Sequence, residues 1–311
     1  MGFMVKSRRH PKQSKPQKIK SSRIKRQSRK DLIHHAKPVK VLINLSRTLI
    51  SLRNSKMKAS AKPAKAKNPV LLEELSSKEA AEAASKGTVV IFPVGSVEEH
   101  GGHLPLCTDS LQSEYVALEV ARKTGCLVAP PFRQGVCNAG RNFPGTMSIE
   151  FETLRLIARD TLSELVRNGF CRIIVLTGHA GSSHMTALRL AAQEIVTRDA
   201  KMEEKRKTRI MVLSDYDFAY DVKGQFKVDA RDGHAGDIET SRVMAIRPDL
   251  VKGRGKTGFP QMPRFEVVPD PETYFVGGLI GDPTAASQEK GQKINEYIIE
   301  NVVKLVEEIR K

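Results

Sequence analysis

Residues 94–110 read VGSVEEHGGHLPLCTDS and bring Glu98, Glu99, His100, His103 and Asp109 together directly after an apolar run, TVVIFP. Carboxylates and imidazoles crowded at the end of a buried segment need something to compensate them. Two further stretches have the same character, TGHAGSSH (177–184) and DGHAGDIET (232–240). Beyond residue 69 the chain has five histidines, His100, His103, His179, His184 and His234, and every one falls in these three stretches. Imidazole with carboxylate is a donor set for divalent zinc, manganese or iron. Glu98 and His100, two residues apart in an extended segment, face the same side. Asp109 follows, where one carboxylate can bridge two ions. Types and spacing leave two readings open, a divalent metal site or a buried hydrogen-bonded network.

Other chemistries lack their signatures. TGHAGSSH has the glycines of a phosphate loop without its GK[ST] ending, and VGSVEEHGG is not GxGxxG. HExxH does not occur, and no GxSxG elbow surrounds Ser96. His103 and His184 read as capping or core-satisfied histidines outside the site. The methionines at 147, 185, 202, 211 and 244 follow core spacing and point to no cofactor.

The elements that must carry these residues alternate along the chain. Strands are expected over TVVIFPVG (88–95), CLVAPPF (126–132), CRIIVLTGH (171–179) and RIMVLSDYD (209–217). Helices are expected over 111–125, with Asp109 just ahead of it, from Ser148 to Gly169, over 182–199, from His234, and from about Thr284 to Arg310. Strands this apolar, separated by helices, are buried on both faces. The pattern predicts an α/β fold, a three-layer α-β-α arrangement with a mostly parallel central sheet. In such sheets ligands sit outside the carboxyl ends of the strands, where the histidine-bearing loops fall.

The formal net charge of +17 is unevenly spread. Residues 1–69 contain 21 lysines and arginines against a single acid, Asp31; the remainder holds 31 bases and 34 acids. The expected organisation is a basic, disordered N-terminal extension over 1–68 and a single folded domain over 69–311. Only VLINLSRTLISL (41–52) in the extension has helical patterning, and Met57 is a candidate natural start. Nucleic acid is expected as a partner only through this extension. No stretch approaches the roughly 18–20 apolar residues of a membrane span, and the N-terminus has no secretory apolar core. Cys107, Cys126, Cys137 and Cys171 form no CxxC pair and read as reduced thiols of a cytoplasmic protein.

Gly95 to Asp109 resembles the first signature of the creatininase family of metal-dependent amidohydrolases, Gly-Ser-x-Glu-x-His-Gly-x-His-Leu-Pro-x-x-Thr-Asp. Thr177 to Ser182 is similar to its second, Asn-Gly-His-Gly-Gly-Asn, His234 to Thr240 to its third, His-Ala-Gly-x-x-Glu-Thr, and RNFPGTMS to its Pro-Gly-Thr turn. The resemblance covers about residues 70–308. It implies a creatininase-like fold and two divalent ions per chain. Glu98 and His179 would hold one ion and His100 the other, with Asp109 bridging. Glu239 would be a further ligand or a base behind the ligands, and His234 the proton shuttle. It further implies a homo-oligomer, a hexamer in the family, and an amide or cyclic amide substrate. Family members open the ring of creatinine, deformylate a formamidopyrimidine nucleotide in archaeal flavin biosynthesis, or trim a redox peptide. Two departures bear on that choice: Gly181 stands where creatinine hydrolase has a glutamate, and Thr177 and Ser182 replace the flanking asparagines. A rival of another class is a nucleic-acid-binding or scaffold protein whose metal site is vestigial.

Overall fold

The computed structural model describes residues 71–201, 207–261 and 263–311. The basic extension, the short helix expected over 41–52 and the candidate start at Met57 lie outside the described residues. Four strands, β1 (Val90–Val94), β2 (Leu127–Val128), β3 (Arg172–Thr177) and β4 (Arg209–Ser214), form one parallel sheet in the order β2-β1-β3-β4. The α-helices among the described residues are α1 (Ser77–Ser85), α2 (Thr108–Thr124), α3 (Phe151–Arg167), α4 (Ser182–Asp199), α5 (Tyr216–Ala219), α6 (Asp237–Ile246) and α7 (Gln288–Arg310).

Alternation along the strands divides the interior in two. Ile91, Ile174 and Leu176 pack with Val116 and Val120 of α2 and with Ile294, Ile298 and Val302 of α7. Val90, Phe92, Ile173 and Val175 pack against Leu154 and Leu162 of α3 and Leu188 and Ile195 of α4. Each such residue removed from water contributes about 1.5–3 kcal/mol, so both faces of the sheet are anchored. This is the three-layer α-β-α fold that the apolar runs predict, with a wholly parallel sheet.

Local departures from the expected elements have local causes. The second strand pairs only at Leu127 and Val128, because Pro130 and Pro131 have no N–H to donate. Phe132 nevertheless bonds both Pro93 O (3.0 Å) and Gly95 N (2.9 Å), so the following loop leaves beside the end of β1. Helix α2 begins at Thr108, which puts Asp109 inside its first turn rather than ahead of it. Ser148 does not open α3; the helix starts at Phe151, and the serine hydroxyl accepts a bond from Cys137 N (3.0 Å). Gly169 follows α3 with φ of +92°, a conformation glycine adopts freely. Helix α4 spans the expected 182–199. Helix α7 begins at Gln288, capped by Ser287, after a 3-10 turn over Pro283–Ala285.

Two glycines let α2 approach the sheet. A Cβ on Gly95, after β1, would collide with Ser110, and one on Gly178, after β3, would collide with the carbonyl oxygen of Asp109. The first turn of α2 is thereby seated between the ends of two adjacent strands.

Candidate metal centre

The loop from β1 to α2 is fixed by main-chain bonds before its side chains do anything. Glu98 N donates to Leu106 O (3.0 Å), and Gly101, at φ of +61°, donates to Gly278 O (3.0 Å). The Pro-Gly-Thr turn clamps the same loop: Glu99 N donates to Thr146 Oγ1 (3.0 Å) and Met147 N to Val97 O (2.8 Å). Glu98, His100 and Asp109 are held beside His179, which follows β3, and Glu239 in the first turn of α6. Helix α6 has no side-chain cap of its own; Asp232 accepts from Asp237 N (2.7 Å) and Ile238 N (3.3 Å) instead. Ala235 takes φ of +53°, rare for a residue with a side chain, and its N–H reaches Glu239 Oε2 (2.5 Å).

The carbonyl partners of the two central imidazoles assign their tautomers. His179 Nε2 donates to Val136 O (3.0 Å), leaving Nδ1 3.1 Å from Glu98 Oε2 and 3.0 Å from Asp109 Oδ2. His100 Nδ1 donates to Glu98 O (3.0 Å), leaving Nε2 3.1 Å from Asp109 Oδ1 and 3.5 Å from Glu239 Oε2. Ser96 Oγ donates to Asp109 Oδ2 (2.6 Å) and fixes the carboxylate between the two rings. Two lone pairs aimed at carboxylate oxygens repel unless a positive charge lies between them. Glu98 is 3% exposed, and its Oε2 accepts no hydrogen bond even so. A buried carboxylate oxygen left open beside an imidazole lone pair is the donor arrangement a divalent cation requires, and these residues fit one.

The electrostatics agree. Burial alone would lower the proton affinity of His100, but Asp109 and then Glu239 outweigh it and lift its pKa to about 10. His179 is also driven well above its ordinary range, against burial, by Glu98 and Asp109. Asp109, which burial would push up, is held well below the usual carboxylate range by His100 and His179. Every shift reports the same demand for positive charge between rings and carboxylates.

His234 packs on the ring of His100 and shares a candidate donor group with His100 and Glu239. Its Nε2 donates to Glu99 O (2.7 Å), and its ring lies 4.2 Å from that of His100 and 5.3 Å from Phe275, centroid to centroid. Burial and then His100 act to lower its pKa; the Glu99 contact, Glu239 and Glu98 reverse this to a net rise. A cleft of about 310 Å³ is lined by His234, Glu98, Asp109, His179 and Glu239, with Tyr216, Tyr220 and Phe275 supplying apolar walls. The structure therefore brings together all six residues singled out in the sequence. His103 and His184 are bonded to other partners: His103 Nε2 pairs with Thr240 Oγ1 (2.8 Å) while its buried Nδ1 has no hydrogen-bond partner, and His184 lies between Thr177 Oγ1 (3.1 Å) and Val136 N (3.3 Å).

Sequence reasoning missed several contributors. Cys137 lies in a polar loop with no recognisable spacing to a histidine, yet shares a donor group with Glu98 and His179. Ser96 carries no nucleophile signal and serves as a hydrogen-bond donor. Behind Glu239, Tyr216 Oη donates to Gln112 Oε1 (2.6 Å), and Arg242, fully buried, pairs with Asp215 (2.5 Å) and Asn295 Oδ1 (2.9 Å). The pair bridges elements 27 residues apart, and only folding reveals it.

Comparison with known proteins places these features in context. The Creatininase family model, described as creatinine amidohydrolase, matches residues 73–306. The chain is 30% identical to a creatinine amidohydrolase of Pseudomonas putida over 254 residues, covering 77% of this chain and 96% of that one. It is 30% identical over 250 residues to a mycofactocin precursor peptide peptidase of Mycobacterium ulcerans, covering 75% and 90%. Among solved structures, "Creatininase Mn" superposes with a TM-score of 0.69 at 29% identity, covering 77% of this chain and 98% of that one. A creatininase mutant of "Zn-Zn type" gives 0.68 at 30% identity, with the same coverage.

Proposed function

The chain belongs to the creatininase family of metal-dependent amidohydrolases, and from that premise we propose that its centre holds two divalent ions and hydrolyses a non-peptide amide C–N bond of a small or cyclic amide. The observation that carries this reading is Asp109, whose two oxygens face the lone pairs of His100 and His179 separately. Glu98 and His179 would hold one ion, and His100 and Glu239 the other, with Asp109 common to both. Zinc, manganese and iron all suit this donor set. Such ions, when bound, acidify a water and polarise an amide carbonyl.

The chain's own residues do the rest. The main-chain bonds of the 95–109 loop fix the donors, so little reorganisation accompanies binding. With Nε2 occupied by the Glu99 carbonyl, His234 has Nδ1 left to pass a proton to the departing nitrogen. Tyr216, Tyr220 and Phe275 exclude water from part of the cleft.

Gly181 favours a substrate other than creatinine, with formamidopyrimidine-nucleotide deformylation as the specific alternative. A Cβ there would come within 2.7 Å of His179 Nε2, so the glutamate of creatinine hydrolase has no room while His179 keeps this orientation. Glu239 instead offers His100 its second carboxylate. Similarity to a peptide peptidase as well as a creatinine amidohydrolase supports a broader search.

The same reading takes residues 1–68 as a basic extension appended to the hydrolase domain at 69–311, and the assembly as a homo-oligomer, hexameric by family resemblance. Four free cysteines support a cytoplasmic setting. No helix among the described residues is long and apolar enough to cross a membrane. The rival scaffold reading predicts a salt-dependent shift with RNA or DNA that vanishes on deleting residues 1–68, and no turnover. Elemental analysis combined with assays on creatinine, cyclic amides and formamides tests the proposal. Two equivalents of metal with turnover on one class is the expected result; metal-free protein without turnover would overturn it.

A further inference from the structure

Cys137 has no place in the ligand set just proposed, yet it sits against it. The residue is 1% exposed, and its sulfur lies within 4.8 Å of the donor atoms of Glu98 and His179. It is not an ordinary core thiol. Cys126 packs among the aliphatic side chains of α2 and α7, whereas Cys137 belongs to none of the apolar clusters among the described residues. Its backbone is held on both sides, by His179 bonding Val136 O (3.0 Å) and by Cys137 N bonding Ser148 Oγ (3.0 Å). The same loop lies hard on Glu98: a Cβ on Gly140 would come within 2.7 Å of Glu98 Oε1. Glu98 Oε2, in the same donor group, is the buried carboxylate oxygen that accepts no hydrogen bond.

We infer that Cys137 is a sulfur ligand to the ion at Glu98 and His179. The inference rests on the metal-site reading above. Coordination exchanges the S–H bond for an S–metal bond and releases the proton to solvent, with no change of oxidation state. With Asp109, this position then has four protein donors of three chemical kinds, the count found in closed zinc sites. His100, Asp109 and Glu239 provide three at the other position, beside His234, where the substrate belongs. A thiolate also selects zinc or cobalt over manganese or magnesium at the closed position.

Cobalt(II) tests this directly. The full chain, stripped of metal and reloaded with cobalt, should bind it stoichiometrically and show a near-ultraviolet thiolate-to-cobalt absorption. That absorption should disappear in Cys137→Ser and persist in Cys107→Ser. X-ray absorption at the zinc edge of the unmutated protein, which does not depend on any variant folding, should show a sulfur neighbour at about 2.3 Å. Bound metal with only nitrogen and oxygen neighbours would overturn the role of Cys137 and leave the metal centre standing. An absorption that survives in Cys137→Ser would do the same. Failure to bind cobalt or zinc at all would overturn both.

Discussion

The two sides of the centre share Asp109 and little else. On one side, Glu98, Cys137 and His179 meet at the loop after β2, where the Val136 carbonyl accepts from the His179 ring and the Ser148 hydroxyl accepts from Cys137 N. On the other, His100 contacts Glu239 and the ring of His234, His234 packs on Phe275, α6 carries the buried Arg242 paired with Asp215, and His234 keeps 18% of its side chain exposed. Both sides face the cleft, the first through Glu98 and His179 and the second through Glu239 and His234. Disturbing either side alone should leave the other in place.

The largest disturbance is to the residue they share. Asp109→Asn should empty both sides, because a neutral amide cannot balance two divalent charges. Activity should fall by roughly three orders of magnitude or more, the scale of several kcal/mol of lost charge stabilisation. Two ions retained in this variant would break the comparison outright. His234→Ala should instead keep its metal and lose about 10²- to 10⁴-fold in kcat, the usual share of acid–base transfer. Full activity would remove His234 from the mechanism and make it a helix-flanking residue only.

Support behind the second side is structural. Asp215→Ala strands a fully buried Arg242 and should cost about 3–5 kcal/mol in denaturant unfolding, whatever metal is present. A smaller effect comes from His103 and His184. Burial, then His100, lowers the pKa of His103 to about 4, and burial with His179 holds His184 well below its ordinary value. Their depressed folded pKa values mean that stability is complete above about pH 6.5 and declines as pH falls toward 4. The slope should approach about 1.4 kcal/mol per pH unit for each, and His103→Gln should flatten it. Unchanged slope in that variant would show that His103 is not held neutral. Truncation to Met57 should change neither turnover nor thermal midpoint, and a loss of either would tie the basic extension to the fold.

Much of the framework was legible from sequence. Continuous apolar runs reveal strands buried on both faces, and α4 begins and ends where its pattern does. Glu98, His100, Asp109, His179, His234 and Glu239 sit in three compact motifs, so proximity in the chain and the strand-end rule bring them together. What escaped depends on contacts with no local signature. Cys137 reaches the site because Phe132, past the two prolines, still bonds the end of β1 and so starts the following loop beside it. Ser148, expected to open a helix, instead accepts from Cys137 N, and the pairing of Arg242 with Asp215 has no local signature.

Gly95 and Gly178 have a consequence for how such a protein can change its diet. By letting main chain touch main chain at the start of α2, they make the gap across Asp109 a fixed dimension of the scaffold rather than a choice of rotamer. Any side chain added at either glycine would prise the helix from the sheet and spread the donors. New substrates must therefore be accommodated by what surrounds the gap, the 134–148 loop and the Tyr216, Tyr220 and Phe275 walls, while the gap itself is inherited whole.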